Sequence, residues 1–240
     1  MLKLGVTGTD TGVGKTVVAA ALLVQLRDQG ARVSGMKPIE TGVLSGESGA
    51  DATLLRAAAG GSDSPDDVCP VSLTAPVAPL VAARGAGRRI DLDVLDRAFA
   101  RLCRRRTAVV VEGAGGLLTP ITWTLGYDGL FLRWGLDIVI VAANRLGVLN
   151  HALLTVRVAS AANLRVRAVV LNDLPPVADR LLGETNHRTL ARLLRGIPVL
   201  RFPRLPDHAD SRALADAAES SGLPFALTEG RVASRATGSS

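Results

Sequence analysis

Residues 5–16 read GVTGTDTGVGKT, a glycine-rich stretch ending in Gly14-Lys15-Thr16, set between the apolar run LKLGVTG (2–8) and the apolar segment KTVVAAALLVQLRDQG (15–30). A glycine turn between a buried strand and a helix start is the arrangement that cradles phosphate. Backbone N–H groups and the helix N-terminus face the anion, the lysine adds charge, and the hydroxyl after it binds Mg2+. The feature commits the chain to a βα unit and so to a fold in which such units stack into a sheet. The spacing is one residue off: G-x-x-x-x-G-K-[ST] needs glycine at position 9, where Thr9 stands, and the nearest glycine is Gly8. An ordinary glycine-rich βα turn is the alternative. The coincidence of G-K-T with a strand, a helix and a scarce lysine favours phosphate, with Gly12, Val13, Gly14, Lys15, Thr16 and Val17 as the ATP-contacting residues.

The rest of the chain repeats the βα pattern. ARVSGMKP (31–38), TAVVVEGAGG (107–116), DIVIVAAN (137–144), RVRAVVLND (165–173) and IPVLRFP (197–203) read as strands, with the helices DATLLRAAAG (51–60) and DLDVLDRAFARLCRRR (91–106) among the segments between them. Near-continuous apolar strands belong to a parallel sheet covered on both faces, and ligands bind such sheets at the carboxyl ends of the strands. The expected fold class is therefore α/β, a predominantly parallel sheet with helices on both faces, P-loop NTPase-like. A single domain is expected over 1–229, followed by a disordered tail over 230–240 that lacks apolar periodicity. The proline-rich stretch 62–90 is expected to be mostly irregular, and the strand at 31–38 to lie beside the first.

Composition narrows the function classes. The net charge of +6 invites a nucleic-acid reading, but aromatic residues are only 3% of the chain and none is interleaved with a basic run. The longest apolar run, VVAAALLVQL (17–26), is too short to cross a bilayer and no signal peptide precedes it, so a cytoplasmic protein without membrane or nucleic-acid partners is expected. Cys69 and Cys103 stand apart, in no metal-binding or disulfide spacing. Lysine occurs only at Lys3, Lys15 and Lys37 in a chain rich in arginine. A lysine kept in such a background points to a place where a compact ammonium is required.

Lys37 ends a strand in GMKPIETG (35–42), which aims a second ammonium at the pocket of Lys15. Glu112 stands after four apolar strand residues and before glycines, where a carboxylate has no packing role. Asp51 opens a helix and alone reads as an N-cap. With Thr16, these two carboxylates form the hard oxygen set suited to Mg2+ shared with phosphate. Asn150 and His151 begin a helix after the strand at 137–144, a general anion site; His151 there reads as a structural hydrogen-bonder. Asn172 follows another strand, placed to read a base edge or simply to make a turn.

Taken in order, GTDTGVGKT, KPIETG, GADATLL, VVVEGAGGLLTPI, NRLGVLNHALLT and VLND resemble the dethiobiotin synthetase family from residue 3 to about 206. That family has the same longer loop, with five residues between the glycines matched by Gly8 and Gly14. The resemblance implies an ATP- and Mg2+-dependent cyclo-ligase of biotin synthesis, forming dethiobiotin from 7,8-diaminopelargonate and CO2 through a carbamate and its phosphorylated anhydride. It implies that Lys15 and Lys37 are catalytic and that Thr41 touches substrate. Thr16, Asp51 and Glu112 match the metal residues, Gly113, Ala114 and Gly115 continue the nucleotide contact, and Asn172 and Asp173 with Pro203, Arg204 and Leu205 match the adenine surround. It further implies a homodimer in which Leu146, Gly147 and Asn150 of one subunit meet the other subunit's substrate. Two departures fall on the substrate side: Leu80, where the family often has histidine, and the segment TWTLGYDGLFLRWGLD (122–137). The rival reading is a partition- or septum-type switch ATPase, whose loop carries a second lysine where this chain has Asp10.

Overall fold

The computed structural model describes residues 1–174, 180–206 and 209–223, so the expected tail over 230–240 lies outside the described residues. The strands are β1 (Leu2–Gly8), β2 (Val33–Met36), β3 (Ile39–Thr41), β4 (Val71–Leu73), β5 (Ala108–Gly116), β6 (Asp137–Ala143), β7 (Val166–Asn172) and β8 (Val199–Phe202). The helices are α1 (Lys15–Asp28), α2 (Ala50–Ala58), α3 (Pro65–Val68), α4 (Pro79–Gly85), α5 (Leu92–Arg105), α6 (Tyr127–Trp134), α7 (Val148–Ala161), α8 (Arg180–Leu193) and α9 (Ser211–Ser220). Six strands form one parallel sheet in the order β2-β5-β1-β6-β7-β8, and β3 pairs with β4 in a small second sheet.

The strands alternate between two cores, as the two-residue period of a pleated strand requires. On β6, Ile138, Ile140 and Ala142 face one layer while Val139, Val141 and Ala143 face the other. The first layer is closed by α5, α6 and α7, the second by α1, α2 and α9. Helix α1 is buried at every position from Val18 to Val24 because α2 and α9 cover the side that the sheet does not. The apolar run that is too short for a membrane is thus a helix buried all round. Each fully buried Val or Leu there stabilises by about 1.5–3 kcal/mol, so a polar replacement on any side of it is costly. Gly30, in left-handed conformation just past its end, closes α1.

Two expectations are corrected and one is sharpened. The stretch 62–90 is irregular over about half its length and also holds α3, β4 and α4. Pro65 and Pro79 begin helices, where the missing N–H costs nothing, and the elements are too short for a periodic pattern to register. The strand at 31–38 does not neighbour the first, because β5 lies between β2 and β1. Asp51 is not an N-cap: Gly49 holds that place and Asp51 is the second residue of α2.

The N-cap of α5 is Asp91, accepting the Asp93 N–H, and Arg104 and Arg105 close its last turn. Lys3, the lysine away from the loop end of the sheet, donates to the Trp134 carbonyl at the end of α6 (3.0 Å). It also sits 5.7 Å from the centre of the Phe99 ring, which stacks on Trp134. In the unusual 122–137 segment, Tyr127, Phe131 and Trp134 are buried core residues.

Candidate active site

Strand β1 ends at Gly8, and Thr9 donates its N–H to the Val141 carbonyl of β6 at 2.9 Å. Thr9 therefore prolongs the strand's pairing, and this absorbs the extra residue: the loop proper spans positions 10–14. Gly12 and Gly14 take positive φ (72° and 87°), and Gly14 is the N-cap of α1. Gly14 also has no room for a side chain, since a Cβ would lie 2.0 Å from Asn172 Nδ2. Asn172, arriving on β7, donates that amide to the Val13 carbonyl at 3.0 Å and ties the loop to the sheet.

Both ammonium groups sit beneath this loop. Lys15 donates to the Asp10 carbonyl (3.0 Å) and is nearly fully buried. Lys37, 3% exposed, follows β2 and reaches Glu112 Oε1 on β5 and Asp51 Oδ2 on α2, each at 2.6 Å. Thr16 Oγ1 lies 2.9 Å from Asp51 Oδ1 and 3.0 Å from Glu112 Oε1, its single proton serving one at a time. Burial alone would lower Lys37, but the Glu112 and Asp51 carboxylates outweigh it and hold the ammonium protonated above the usual lysine range. Burial lowers Lys15, Glu112 partly restores it, and the like charge of Lys37 lowers it further. Burial pushes the Asp51 carboxyl up, yet Lys37 and Thr16 hold it below the usual range. At Glu112, 1% exposed, burial wins over Lys37 and raises the carboxyl.

These groups line a cavity of about 660 Å³ whose walls include Gly12, Lys37, Thr41 and the turn Pro76–Pro79. Gly14, Lys15, Thr16, Val17, Asp51, Glu112, Ala114 and Gly115 also reach it. Val13 is buried beneath the loop, and Gly113 packs against Tyr127 and Phe131. Asn172 ends β7 behind the loop and Asp173 follows it, neither lining the cavity; the Asp173 carboxylate is taken by Asn144 (2.7 Å) and Arg201 (2.8 Å). Pro203, Arg204 and Leu205 follow β8 beside that network, Pro203 and Arg204 exposed and Leu205 packed on the core. Leu146, Gly147 and Asn150 are exposed around the start of α7 and do not line the cavity of their own chain. Leu80 is on α4, its N–H donating to the Pro120 carbonyl (3.2 Å), just behind the cavity wall at Pro79.

Sequence reading passed over Glu40, Thr11 and Thr119, and it reached the wall at 76–79 only through the substrate-side departure at Leu80. Thr11 was legible as part of the loop. Glu40 carried no signal of its own, because what makes it matter is the distant helix it touches.

The donor set fits a hard divalent cation. Glu112 Oε2 is buried without a hydrogen-bond partner beside the oxygens of Thr16 and Asp51. No group of three or more His, Cys, Asp or Glu capable of holding a metal occurs among the described residues. Two carboxylates and a hydroxyl make a partial shell, the kind Mg2+ uses when phosphate oxygens and water complete it.

A parallel sheet with a glycine loop and buried lysine at the carboxyl end of its first strand defines a nucleotide-binding protein of the P-loop class. The sequence profile of a family described as an AAA domain matches residues 3–212. The chain is 42% identical over 209 residues to the ATP-dependent dethiobiotin synthetase BioD of Anaeromyxobacter dehalogenans (strain 2CP-C), covering 87% of this chain and 93% of that one. It is 39% identical over 215 residues to the protein of the same name from Ralstonia nicotianae, covering 88% and 92%. It belongs to the ATP-dependent dethiobiotin synthetase family. The MinC:MinD cell division protein complex of Aquifex aeolicus is similar in fold alone, at TM-score 0.53 and 12% identity, with 100% of this chain and 99% of that chain covered.

Proposed function

We infer that this protein is an ATP-dependent ligase that closes the ureido ring of dethiobiotin from 7,8-diaminopelargonate and CO2 in biotin synthesis. The observation that carries the reading is the second buried ammonium, Lys37, held at 2.6 Å from each of two carboxylates on the wall of the loop's own cavity. In this reading one substrate amine takes up CO2 as a carbamate. A carbamate oxygen then attacks the γ-phosphorus of ATP, and the bond to ADP breaks. The second amine attacks the resulting mixed anhydride at carbon, loses its proton, and expels phosphate as the ring closes.

Lys15 and the N–H groups of the loop hold the phosphates, and Lys37 faces the carbamate and the moving phosphoryl. Fixed cations there stabilise charge as it develops without having to reorganise. Thr41 and the turn at 76–79 shape the wall for the substrate. Thr16, Asp51 and Glu112 would hold Mg2+, which neutralises phosphate charge when bound. ATP turnover is expected only when both 7,8-diaminopelargonate and bicarbonate are present, and chelation of Mg2+ is expected to abolish product. Turnover indifferent to both substrates would overturn the ligase reading in favour of a switch ATPase.

A homodimer belongs to the same reading. Leu146, 84% exposed, and the start of the 14-residue α7 face away from their own cavity, which suits a helix start that meets the substrate carboxylate of a partner. Sedimentation is expected to show a dimer, and Leu146→Asp to weaken both association and substrate affinity. A fully active monomer would overturn this. The cytoplasmic location and the lack of nucleic-acid or membrane partners are part of the proposal. The low aromatic content speaks against a nucleic-acid role, and no helix among the described residues is long and apolar enough to cross a membrane.

A further inference from the structure

Helix α2 brings Asp51 to Lys37 and Thr16, yet its own cap does not hold its first turn. The N-cap position is usually filled by Ser, Thr, Asp or Asn, whose oxygen accepts the N–H of the second or third helical residue. Here it is Gly49, and those two N–H groups, of Asp51 and Ala52, donate instead to the two oxygens of the Glu40 carboxylate at 2.9 and 3.0 Å. Glu40 lies on β3, 6% exposed, nine positions before Gly49 in the chain. A Cβ at position 49 would fall 2.1 Å from Glu40 Oε2, so the bare backbone of Gly49 is what admits the carboxylate. Negative charge at this end also suits the helix dipole.

We propose that Glu40 is a positioning residue whose carboxylate stands in for the missing N-cap side chain of α2 and so sets Asp51 beside Lys37 and Thr16. One short strand then serves two walls of the site: Thr41 and Glu40 both line the cavity, and Glu40 also fixes the helix opposite. The kinetic consequence rests on the ligase reading above; the structural one does not.

The test is a pair of substitutions read by amide hydrogen exchange and by turnover of the full chain. Glu40→Ala is expected to speed exchange at Asp51 and Ala52 by about tenfold, the loss typical of a removed cap, and to lower kcat/KM by a similar factor. Gly49→Ser alone should also impair the enzyme, because its side chain meets the carboxylate. In the double variant Glu40→Ala/Gly49→Ser, the serine oxygen can accept the N–H of Asp51 or of Ala52, and protection at one of these amides and turnover are expected to recover to within about threefold of wild type. Unchanged exchange in Glu40→Ala, or a double variant no better than Glu40→Ala, overturns the proposal, the latter because it would mean the carboxylate acts in its own right. If Glu40→Ala does not fold, Glu40→Gln serves: one acceptor oxygen in place of two predicts lost protection at one of the two amides, and full protection at both overturns the idea. Wild-type protein that fails to turn over ATP with the two substrates would defeat the ligase reading while leaving the exchange result to decide on Glu40.

Discussion

Lys37→Met is expected to lower kcat by a hundredfold or more while ATP affinity changes little, because a cation that meets the carbamate and the moving phosphoryl acts more on the transition state than on bound ATP. A hundredfold corresponds to about 2.7 kcal/mol of lost transition-state stabilisation. Stability falls as well. Lys37 is the hydrogen-bonded counterion of Glu112, whose Oε2 already lacks a partner, so its removal leaves a buried carboxylate uncompensated. Breaking a buried pair in this way costs about 3–5 kcal/mol, less whatever Glu112 recovers by taking up a proton. Steady-state kinetics must therefore be read beside the melting temperature and a separate measurement of ATP binding. Lys37→Arg separates charge from shape. A guanidinium is planar and larger than the ammonium held between two oxygens at 2.6 Å, so Arg is expected to keep much of the stability and little of the kcat. Near-normal kcat in Lys37→Arg would show that Lys37 takes no part in phosphoryl transfer.

Glu112→Gln is the second large effect. The amide is nearly isosteric, and its oxygen still accepts from Lys37 or Thr16, so folding is expected to be little changed. What disappears is the negative charge and the free acceptor Oε2. The Mg2+ concentration needed for half-maximal turnover is expected to rise at least about tenfold, with kcat reduced, since one of only two carboxylates in the donor set is lost. A Mg2+ titration of ATP hydrolysis and, independently, of nucleotide binding by calorimetry reads both. Unchanged Mg2+ dependence in both would take Glu112 out of the metal set and leave it as the structural counterion of Lys37.

Much of the architecture was legible because its causes are local. The runs at 108–111 and 138–143 are apolar at every position, which only a strand covered on both faces tolerates, and they belong to the interior strands β5 and β6. The departures came where length or distance defeats a local pattern. Elements of three or four residues, β3, α3 and β4, give no period to count. The insertion of β5 between β2 and β1 follows from how the crossovers pack, and strand order is not written in any one segment. That order matters for the site, since it places the end of β2, with Lys37, next to the strand that carries Glu112.

The chain's own letters determined a phosphate loop at the end of the first strand, a second lysine at the end of the next, and two carboxylates, one after an apolar strand run and one in the first turn of a helix, because glycine conformation, apolar periodicity and charge are properties of neighbouring residues. The tertiary structure decided which of these groups meet. Lys37 and Glu112 are 75 positions apart and Asn172 and Val13 are 159 apart, and their contacts exist only once the strands are ordered. It also decided that the first turn of α2 is capped by Glu40 in place of a side chain at its N-cap, Gly49. A buried charge is satisfied by whatever partner the fold brings within hydrogen-bond reach, and that partner is chosen by topology, through the requirement that charges taken out of water be paired.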